Sequence, residues 1–349
     1  MGKSKVFFIG PGSGKITGQN KVLIDSVNAI ENSILFSNGG EGESLLNKLW
    51  LFLSSLFTFS VNLIVTNNIS VLSSSRSYSG FIKDLPFLVL SLLFSQKVIV
   101  HAHGNDFDNI FQSKNSIINK LSRWLYKKTD LILIPNSHMA LQFENAGIEN
   151  KKIKVLKNYC ELVQVNRELK PGKRLLFLSN ITVEKGVFDA IALFEKIKKK
   201  HPDSTLDIAG SSFLTDVQMQ LFQSKVNDID GVVYHGSIQG ELKENILEQS
   251  DILIFPSKYK TEASPLVLLE AMSYGLAVVL YKHNNIEEVL PSQDYAIENY
   301  SFKSMVLKTN RLLKDSDIQT KYRVECLKES KKYTFNYYEK SFNGYIYEE

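Results

Sequence analysis

The stretch FPSKYKTEASPLVLLEAMSYGLAVV, residues 255–279, decides how the second half of the chain folds. Pro265 is typical of the first turn of a helix, and Gly275 is typical of the residue that follows a helix end. The apolar, β-branched run Ala277–Leu280 then predicts a buried strand. A loop, a helix and a strand in this order indicate one repeat of an α/β fold.

Two carboxylates of this stretch, Glu262 and Glu270, are separated by seven residues. Glu262 falls in the loop before the helix, and Glu270 falls two turns along the helix. The free backbone N–H groups near Ser264 to Val267, which flank Pro265 and include that of Leu266, are expected to form an anion site at the positive end of the helix dipole. A diphosphate fits such a site, with Glu270 accepting hydrogen bonds from ribose hydroxyls and Glu262 reaching the hydroxyls of a sugar. Taken alone, either glutamate also fits an ordinary solvated surface.

Apolar runs alternate with helical patterns along the whole chain, which predicts parallel sheets with crossover helices. A first series has strand candidates at Val6–Ile9, Ser33–Phe36, Ser70–Leu72, Lys97–His101 and Leu131–Ile134. A second series has them at Arg174–Leu178, Thr205–Ala209, Val232–Tyr234, Ile252–Phe255 and Ala277–Leu280. We therefore predict two Rossmann-like domains, residues 1–165 and 170–332, joined by a polar segment at 166–173.

Composition and charge narrow the choice of partner. The 349 residues suffice for two domains, and two cysteines fit a reducing cytoplasm better than a disulfide framework. Residues 1–165 hold 17 Lys and Arg against 11 Asp and Glu, whereas the remainder holds 24 against 26. This basic half suits nucleic acid or an anionic membrane surface, and no nucleic-acid recognition module accompanies it. The short apolar run near the first residue predicts no secretory signal, so we expect a cytoplasmic protein.

Two apolar stretches are candidates for spanning or contacting a membrane. Leu45–Val65 is long enough to span a bilayer, but serine, threonine and asparagine dilute it, so we expect a helix followed by the start of a strand. Pro86–Phe94 is too short to span and predicts a buried crossover helix, or one lying partly in a membrane interface. With Trp50 and several phenylalanines nearby, the first domain is predicted to bind a membrane peripherally.

The second half resembles the retaining GT-B glycosyltransferases of family 4. The Glu-x7-Glu segment ending in EAMSYGLAVV is similar to the signature of that family. The stretch LLFLSNITVEKGVFDAIALFEKI, residues 175–197, is similar to its second-domain phosphate loop, in which a lysine precedes a glycine, here Lys185-Gly186. Further matches in order and spacing are LDIAG (206–210), VVYHGSI (232–238) and SDILIFPS (250–257).

The first half carries a weaker resemblance to the same family. KVIVHAHGND, residues 97–106, is similar to the strand that ends in the His-Gly of the family, which places His103 at the donor sugar. The opening loop GSGKITGQ is similar to the glycine loop after the first strand. Its Gly-Lys is not a triphosphate P-loop, because isoleucine stands at both ends of the Walker pattern. The bare backbone from Gly14 to Gly18 is expected to approach the donor diphosphate or the acceptor, with Lys15 as a candidate cation.

The resemblance implies a GT-B fold, α/β, with two Rossmann-like domains facing each other across a cleft and a C-terminal helix of about 333–349 packing back on the first. It implies a metal-independent, retaining hexosyltransferase without a cofactor, whose co-substrate is a nucleotide-diphosphate sugar. Glu262, His103 and Lys185 are the implied catalytic residues, and Asp106 is expected on the acceptor side. The expected acceptor is a lipid-linked oligosaccharide or a lipopolysaccharide, O-antigen or capsule glycan at the inner face of the cell membrane.

One departure from the family concerns the phosphate site. Asn180 stands where the family usually has an arginine that pairs with the donor diphosphate. An amide cannot neutralise phosphate charge. Lys185 is therefore expected to do more, helped by Lys15, Lys258 or Lys260.

Three alternatives remain open from the sequence. Asp106 and Asp108 form a D-x-D string, the metal motif of GT-A glycosyltransferases, although two more such strings occur in this chain. His101 and His103 share a strand face near these aspartates, so a metal cluster is a second alternative. The third is a catalytically degenerate sugar-nucleotide-binding protein, with Asn180 as the sign of decay.

Overall fold

The computed structural model describes residues 4–12, 18–39, 44–161, 163 and 168–347. The chain divides into two compact units. Unit 1 comprises Met1–Asn158, Thr261–Ser264 and Asn336–Glu349, and unit 2 comprises Tyr159–Lys260 and Pro265–Phe335. The first division therefore falls at residue 158/159 rather than between 165 and 170, and four residues from the middle of the second half join unit 1.

Unit 1 is a six-stranded parallel sheet covered by helices. Its strands are β1 (Lys5–Gly10), β2 (Ser33–Ser37), β3 (Asn68–Ser74), β4 (Lys97–Ala102), β5 (Leu131–Ile134) and β6 (Ile153–Val155), in the spatial order β2-β1-β3-β4-β5-β6. Its helices are α1 (Gly18–Asn28), α2 (Leu45–Val65), α3 (Tyr78–Phe94), α4 (Asp108–Phe111), α5 (Ser116–Lys128), α6 (Ala140–Asn145) and, from its second residue on, α13 (Phe335–Tyr347). The strand order reverses between β1 and β3.

A phenylalanine-rich core holds unit 1 together. The apolar side chains of Val6–Ile9 on β1 are fully buried, as a strand covered on both faces requires. On one face, Phe7 makes edge-to-face contacts with Phe36 and Phe59, with ring centroids 5.3 and 6.1 Å apart. On the other face, Phe8 lies 6.1 Å from Phe342 of α13. The tail helix thus completes the core of the first sheet.

Unit 2 has a second six-stranded parallel sheet. Its strands are β7 (Arg174–Leu178), β8 (Thr205–Ala209), β9 (Val232–Tyr234), β10 (Ile252–Phe255), β11 (Ala277–Tyr281) and β12 (Ala296–Ile297), in the order β12-β11-β10-β7-β8-β9. Its helices are α7 (Val187–Lys198), α8 (Asp216–Asp228), α9 (Gly240–Gln249), α10 (Leu266–Ser273), α11 (Phe302–Lys314) and α12 (Ser316–Ser330). Numbered by appearance, these strands follow the Rossmann order 3-2-1-4-5-6, with the reversal between β7 and β10. The α/β prediction with two Rossmann-like sheets is confirmed.

The helix α2 corrects one prediction. Leu45–Val65 forms a single helix of 21 residues and no strand begins within it. Its polar residues do not interrupt it, because Ser60 and Asn62 donate to the carbonyl oxygens of Leu56 and Thr58, four residues back, at 2.7 and 2.8 Å. The stretch Pro86–Phe94 is the second half of α3, with Pro86 inside the helix.

Candidate functional site

The reversal of strand order in unit 2 places two loops side by side. One follows β7 and ends at Gly186, and the other follows β10 and contains Pro256–Lys260. In open α/β sheets, ligands bind beyond the carboxyl ends of the strands at such a reversal. These two loops, which we call the paired loops, are therefore the expected ligand-binding edge of unit 2.

The paired loops are in direct backbone contact. The N–H of Lys258 donates to the carbonyl of Glu184 at 2.7 Å. Gly186 adopts a left-handed conformation, with φ of 82°, and a Cβ at this position would overlap the carbonyl oxygen of Pro256. Only glycine permits both, so Gly186 fixes the approach of the two loops and the start of α7 at Val187.

The basic side chains of the paired loops differ in their surroundings. The ammonium of Lys185 lies over the ring of Tyr259, 4.7 Å from its centroid. Lys258 pairs with Asp189, in the first turn of α7, at 2.7 Å. Asn180 is exposed just past the end of β7. Lys185 and Asn180 thus lie in one loop, whereas the positive charge of Lys258 is largely balanced within unit 2.

The helix α10 begins where the sequence predicted it. Pro265 is its N-cap and makes no side-chain capping hydrogen bond, and Leu266 is its first residue. Gly275, with φ of 71°, follows its end. Glu270 lies in the second turn, one-fifth exposed, and binds Lys243 of α9 at 2.7 Å. The carboxylate expected to bind ribose therefore already has a charged partner in unit 2.

In unit 1, two histidines lie at the carboxyl end of β4. The rings of His101 and His103 are 4.2 Å apart, and His101 also stacks on Tyr338 of α13 at 6.5 Å. The Nε2 atoms of both histidines are buried without a hydrogen-bond partner in the described part of the chain. Burial lowers the pKa of His101 to about 3, and burial beside His101 holds the pKa of His103 well below its usual value. Both rings are therefore neutral at neutral pH.

The segment 261–264 carries Glu262 and belongs to unit 1, not to the unit that flanks it in sequence. Glu262 is 9% exposed. Three asparagine side chains of unit 1 donate to backbone carbonyls of this segment: Asn105 to Glu262 at 3.3 Å, Asn136 to Ala263 at 2.9 Å and Asn158 to Ser264 at 2.9 Å.

Sequence reasoning missed these three asparagines. Each is a single polar residue at the end of a strand or in a loop, so no motif or spacing marked it. The one available signal was position, since Asn105 follows the His-Gly of the resemblance. Because the N–H of Asn105 also donates to the carbonyl of Thr261 at 3.2 Å, the segment that carries Glu262 is fixed beside the loop that carries His103.

Asp106 binds Arg76 at 2.9 Å, and the Arg76 side chain lies against Gly104. Burial raises the pKa of Asp106, and the guanidinium of Arg76 opposes that rise. Asp108 starts α4 instead of joining Asp106. Within the residues that the structure describes, no three His, Cys, Asp or Glu side chains come together as a metal site.

The opening loop is described in part. Gly14 and Lys15 lie outside the described residues, whereas Gly18 is the first residue of α1. The described part before the gap ends at Gly12, whose N–H donates to Ser37 Oγ at 3.2 Å. This loop leaves β1 beside β3, at the strand-order reversal of unit 1.

The second half of the chain is similar to a known protein family. A protein-family model described as Glycosyl transferases group 1 matches residues 161–333. An uncharacterized 41.2 kDa protein in the cps region of Klebsiella pneumoniae is 25% identical over 265 residues, which are 73% of this chain and 70% of that protein. Over other curated relatives, the matched part is between 29% and 64% of the relative's length.

Solved structures share the fold over the whole chain. HepE of Anabaena in complex with UDP has a TM-score of 0.75 at 14% identity, covering 98% of this chain and 99% of that one. The lipopolysaccharide outer core galactosyltransferase WaaB, in its apo form, has a TM-score of 0.70 at 15% identity, with coverage of 98% and 99%. At these identities the likeness shows the fold alone.

The GT-A alternative is wrong about the fold, since the chain forms two parallel six-stranded sheets instead of one nucleotide-binding domain. The family match covers the sheet whose paired loops carry Lys185, together with the Glu-x7-Glu stretch. Residues 161–333 therefore belong to the glycosyl transferases group 1 family, and the chain has the GT-B fold.

Proposed function

We propose that this glycosyltransferase is a retaining enzyme of family 4 that transfers a hexose from a nucleotide-diphosphate sugar to a lipid-linked or glycan acceptor in bacterial surface polysaccharide synthesis. The observation that carries the proposal is the pair of loops at the strand-order reversal of unit 2, where Lys185 sits at the edge that binds ligands in such sheets. HepE, of the same fold, was crystallised with UDP.

The proposed donor site in unit 2 acts on the leaving diphosphate. Negative charge develops there as the bond to the sugar breaks, and preorganised cations and N–H dipoles stabilise it. Lys185 and the N-terminus of α10 supply these groups in this proposal, without a metal. Glu270 binds the ribose hydroxyls, and Lys243 orients its carboxylate. Gly14, Lys15, Gly18 and Asn180 stay predicted donor-binding residues.

The proposed sugar-binding groups are in unit 1. The neutral ring of His103 has a buried Nε2 that can exchange a hydrogen bond with a sugar hydroxyl. The Glu262 carboxylate stabilises positive charge that develops on the sugar ring. Asp106, oriented by Arg76, accepts a hydrogen bond from a hydroxyl of the acceptor.

The proposed acceptor follows from the relatives. The Klebsiella relative is encoded in a cps region, and WaaB acts on the lipopolysaccharide outer core. Both names concern the cell surface. A growing surface glycan, attached to a lipid while it is assembled, is the acceptor that we infer.

Helix α2 supports peripheral attachment to the inner face of the cell membrane. Within the described residues it alone has the length and apolar composition to cross a membrane, and only 11% of its most apolar window is buried. Large apolar side chains form an exposed stripe along it at Leu46, Leu49, Trp50, Leu53, Phe57, Val61 and Ile64. The opposite side packs on the core of unit 1 through Phe59 and Leu63. A helix held in this way lies in the interface instead of crossing it.

The deciding experiment measures nucleotide release. Purified protein is mixed with a panel of nucleotide sugars and membrane lipid extract, with and without EDTA, and products are identified by mass spectrometry. We expect release from at least one donor that survives EDTA and falls at least 100-fold in Glu262→Ala, with Glu241→Ala, an exposed residue of α9, as the matched control. Release that is indifferent to Glu262→Ala contradicts the proposal. Nucleotide binding without any release would support the degenerate binding protein instead.

A further inference from the structure

Tyr259 lies in the second of the paired loops, and its side chain is 40% exposed. The ammonium nitrogen of Lys185 lies over this ring, 4.7 Å from its centroid. Lys185 belongs to the first loop and is half-buried. A cation at this distance from a ring face is attracted by the electron density of the ring. The contact therefore joins the two loops through the side chain that the proposed function uses.

The backbone of Lys185 is already fixed by other contacts. Its N–H donates to Thr182 Oγ1 at 3.1 Å, and the next residue, Gly186, packs against the carbonyl of Pro256. The N–H of Lys258 holds the second loop to the first. These contacts fix the position of the lysine Cα. The four side-chain torsions depend instead on the side chains that surround Lys185.

A lysine without a support loses much of its side-chain entropy when it binds a phosphate. The Tyr259 ring removes part of that cost in advance, because it limits the directions that the ammonium samples. This smaller entropy cost is important in this chain, because Asn180 provides no positive charge and Lys258 is paired with Asp189.

We infer that Tyr259 is a positioning residue, which holds Lys185 in the direction needed to bind the diphosphate of the donor. The inference rests on the proposed function of Lys185. The ring is the part of Tyr259 that acts, so phenylalanine can replace it and an aliphatic side chain cannot. No contact of Tyr259 with the nucleotide is required.

The test is a double-mutant cycle on the full chain with UDP, GDP and ADP as probes, measured by calorimetry. For the diphosphate that binds the wild type, Tyr259→Leu should weaken binding about two- to fivefold, the equivalent of one exposed cation–π contact. Tyr259→Phe should bind within about twofold of the wild type. In a Lys185→Ala background, Tyr259→Leu should have no further effect. Tyr337→Leu, an exposed tyrosine of unit 1, is the matched control.

Each outcome has one meaning. Absence of binding by the wild type, or wild-type affinity in Lys185→Ala, overturns the proposed function of the paired loops. If Lys185→Ala weakens binding but Tyr259→Leu does not, the inference about Tyr259 is wrong while the proposed function stands. A loss in Tyr259→Leu that persists without Lys185, or an equal loss in Tyr259→Phe, also overturns it, since either result assigns the effect to something other than the ring beneath the lysine.

Discussion

Burial decides the charge of the two histidines at the end of β4. His101 is fully buried between the rings of His103, Tyr338 and Phe342, so its charged form is strongly disfavoured in the folded chain. The sequence predicted a role for His103 from its place before glycine. It could not predict that the ring is neutral, because His101, which lies against it, is itself covered by Tyr338 and Phe342 of α13, more than 200 residues later.

Stability of unit 1 should fall in mild acid. The pKa of His101 is about 3 in the folded chain, below its ordinary value, so the unfolded state binds more protons as the pH falls through about 6.5. The free energy of unfolding should therefore decrease from pH 7.5 to pH 5, and His101→Phe should flatten that slope. Both tryptophans, Trp50 and Trp124, lie in unit 1, so urea unfolding followed by tryptophan fluorescence reports this unit.

Two carboxyl groups of unit 1, Asp84 and Asp106, oppose this trend at lower pH, because burial raises the pKa of each. Burial raises the pKa of Asp84 to about 6, so the folded state binds more protons at this site between its ordinary value and about pH 6. Comparison of the wild type with His101→Phe removes this common contribution. Equal slopes in the two proteins would show that His101 is not the group responsible.

Element by element, the sequence was most informative where strands are apolar. The bounds of β5, β7, β8, β9 and β10 agree with the predicted runs. The strands β6 and β12 were not predicted. They lie at the edges of their sheets and have three and two residues, and in β6 Lys154 and Val155 are exposed, so no apolar run marks it.

Helix α2 shows why residue type alone misjudged an element. Counting serine, threonine and asparagine as polar suggested that the helix ends early. In the helix these side chains donate to carbonyls of the preceding turn and present little polarity to their surroundings. The apolar stripe is therefore continuous over the whole helix.

Binding of α2 to lipid gives a test at this scale. Trp50→Ser combined with Phe57→Ser should weaken binding to phosphatidylcholine–phosphatidylglycerol vesicles on the order of tenfold, because both side chains are more than two-thirds exposed and apolar. Vesicle co-sedimentation measures the effect. Ile117→Ser, which removes an equally exposed apolar residue of α5, should bind as the wild type does. Unchanged binding of the double variant would assign the stripe another role.

At the scale of the whole molecule, each unit has a core of its own, and the two series of strands in the sequence predicted this. The predicted boundary was less accurate. Cys160 is held in unit 2, because its N–H donates to the carbonyl of Tyr333 at 2.8 Å, and Tyr159 packs on Phe335 at 5.0 Å. Such pairings join residues far apart in sequence, so a local change in composition could not reveal them.

A buried arginine ties α12 to the sheet of unit 2. Arg323, 1% exposed, donates to Asp251 at 2.6 Å and to the carbonyls of Lys170 and Gly275 at 2.6 and 2.8 Å. Removing one partner of a buried pair leaves an uncompensated charge, so Arg323→Met should lower the free energy of unfolding of unit 2 by about 3–5 kcal/mol.

Hydrogen exchange of the peptide that contains β10 and β11 measures this change in unit 2. Arg311→Met, an exposed arginine of α11, is the control and should exchange as the wild type does. Adding Asp251→Asn to Arg323→Met should cost less than the sum of the single changes. An additive result would mean that the two side chains do not stabilise each other.

The assignment of Thr261–Ser264 to unit 1 limits how such enzymes can be recombined. A chimaera that joins one enzyme's first half to another's second half at residue 158 would import a foreign Glu262 segment. The backbone carbonyls of that segment would then have to accept hydrogen bonds from Asn105, Asn136 and Asn158 of the recipient. A chimaera that exchanges donor specificity should therefore keep Thr261–Ser264 from the recipient. The exchanged part then consists of two separate segments, Tyr159–Lys260 and Pro265–Phe335.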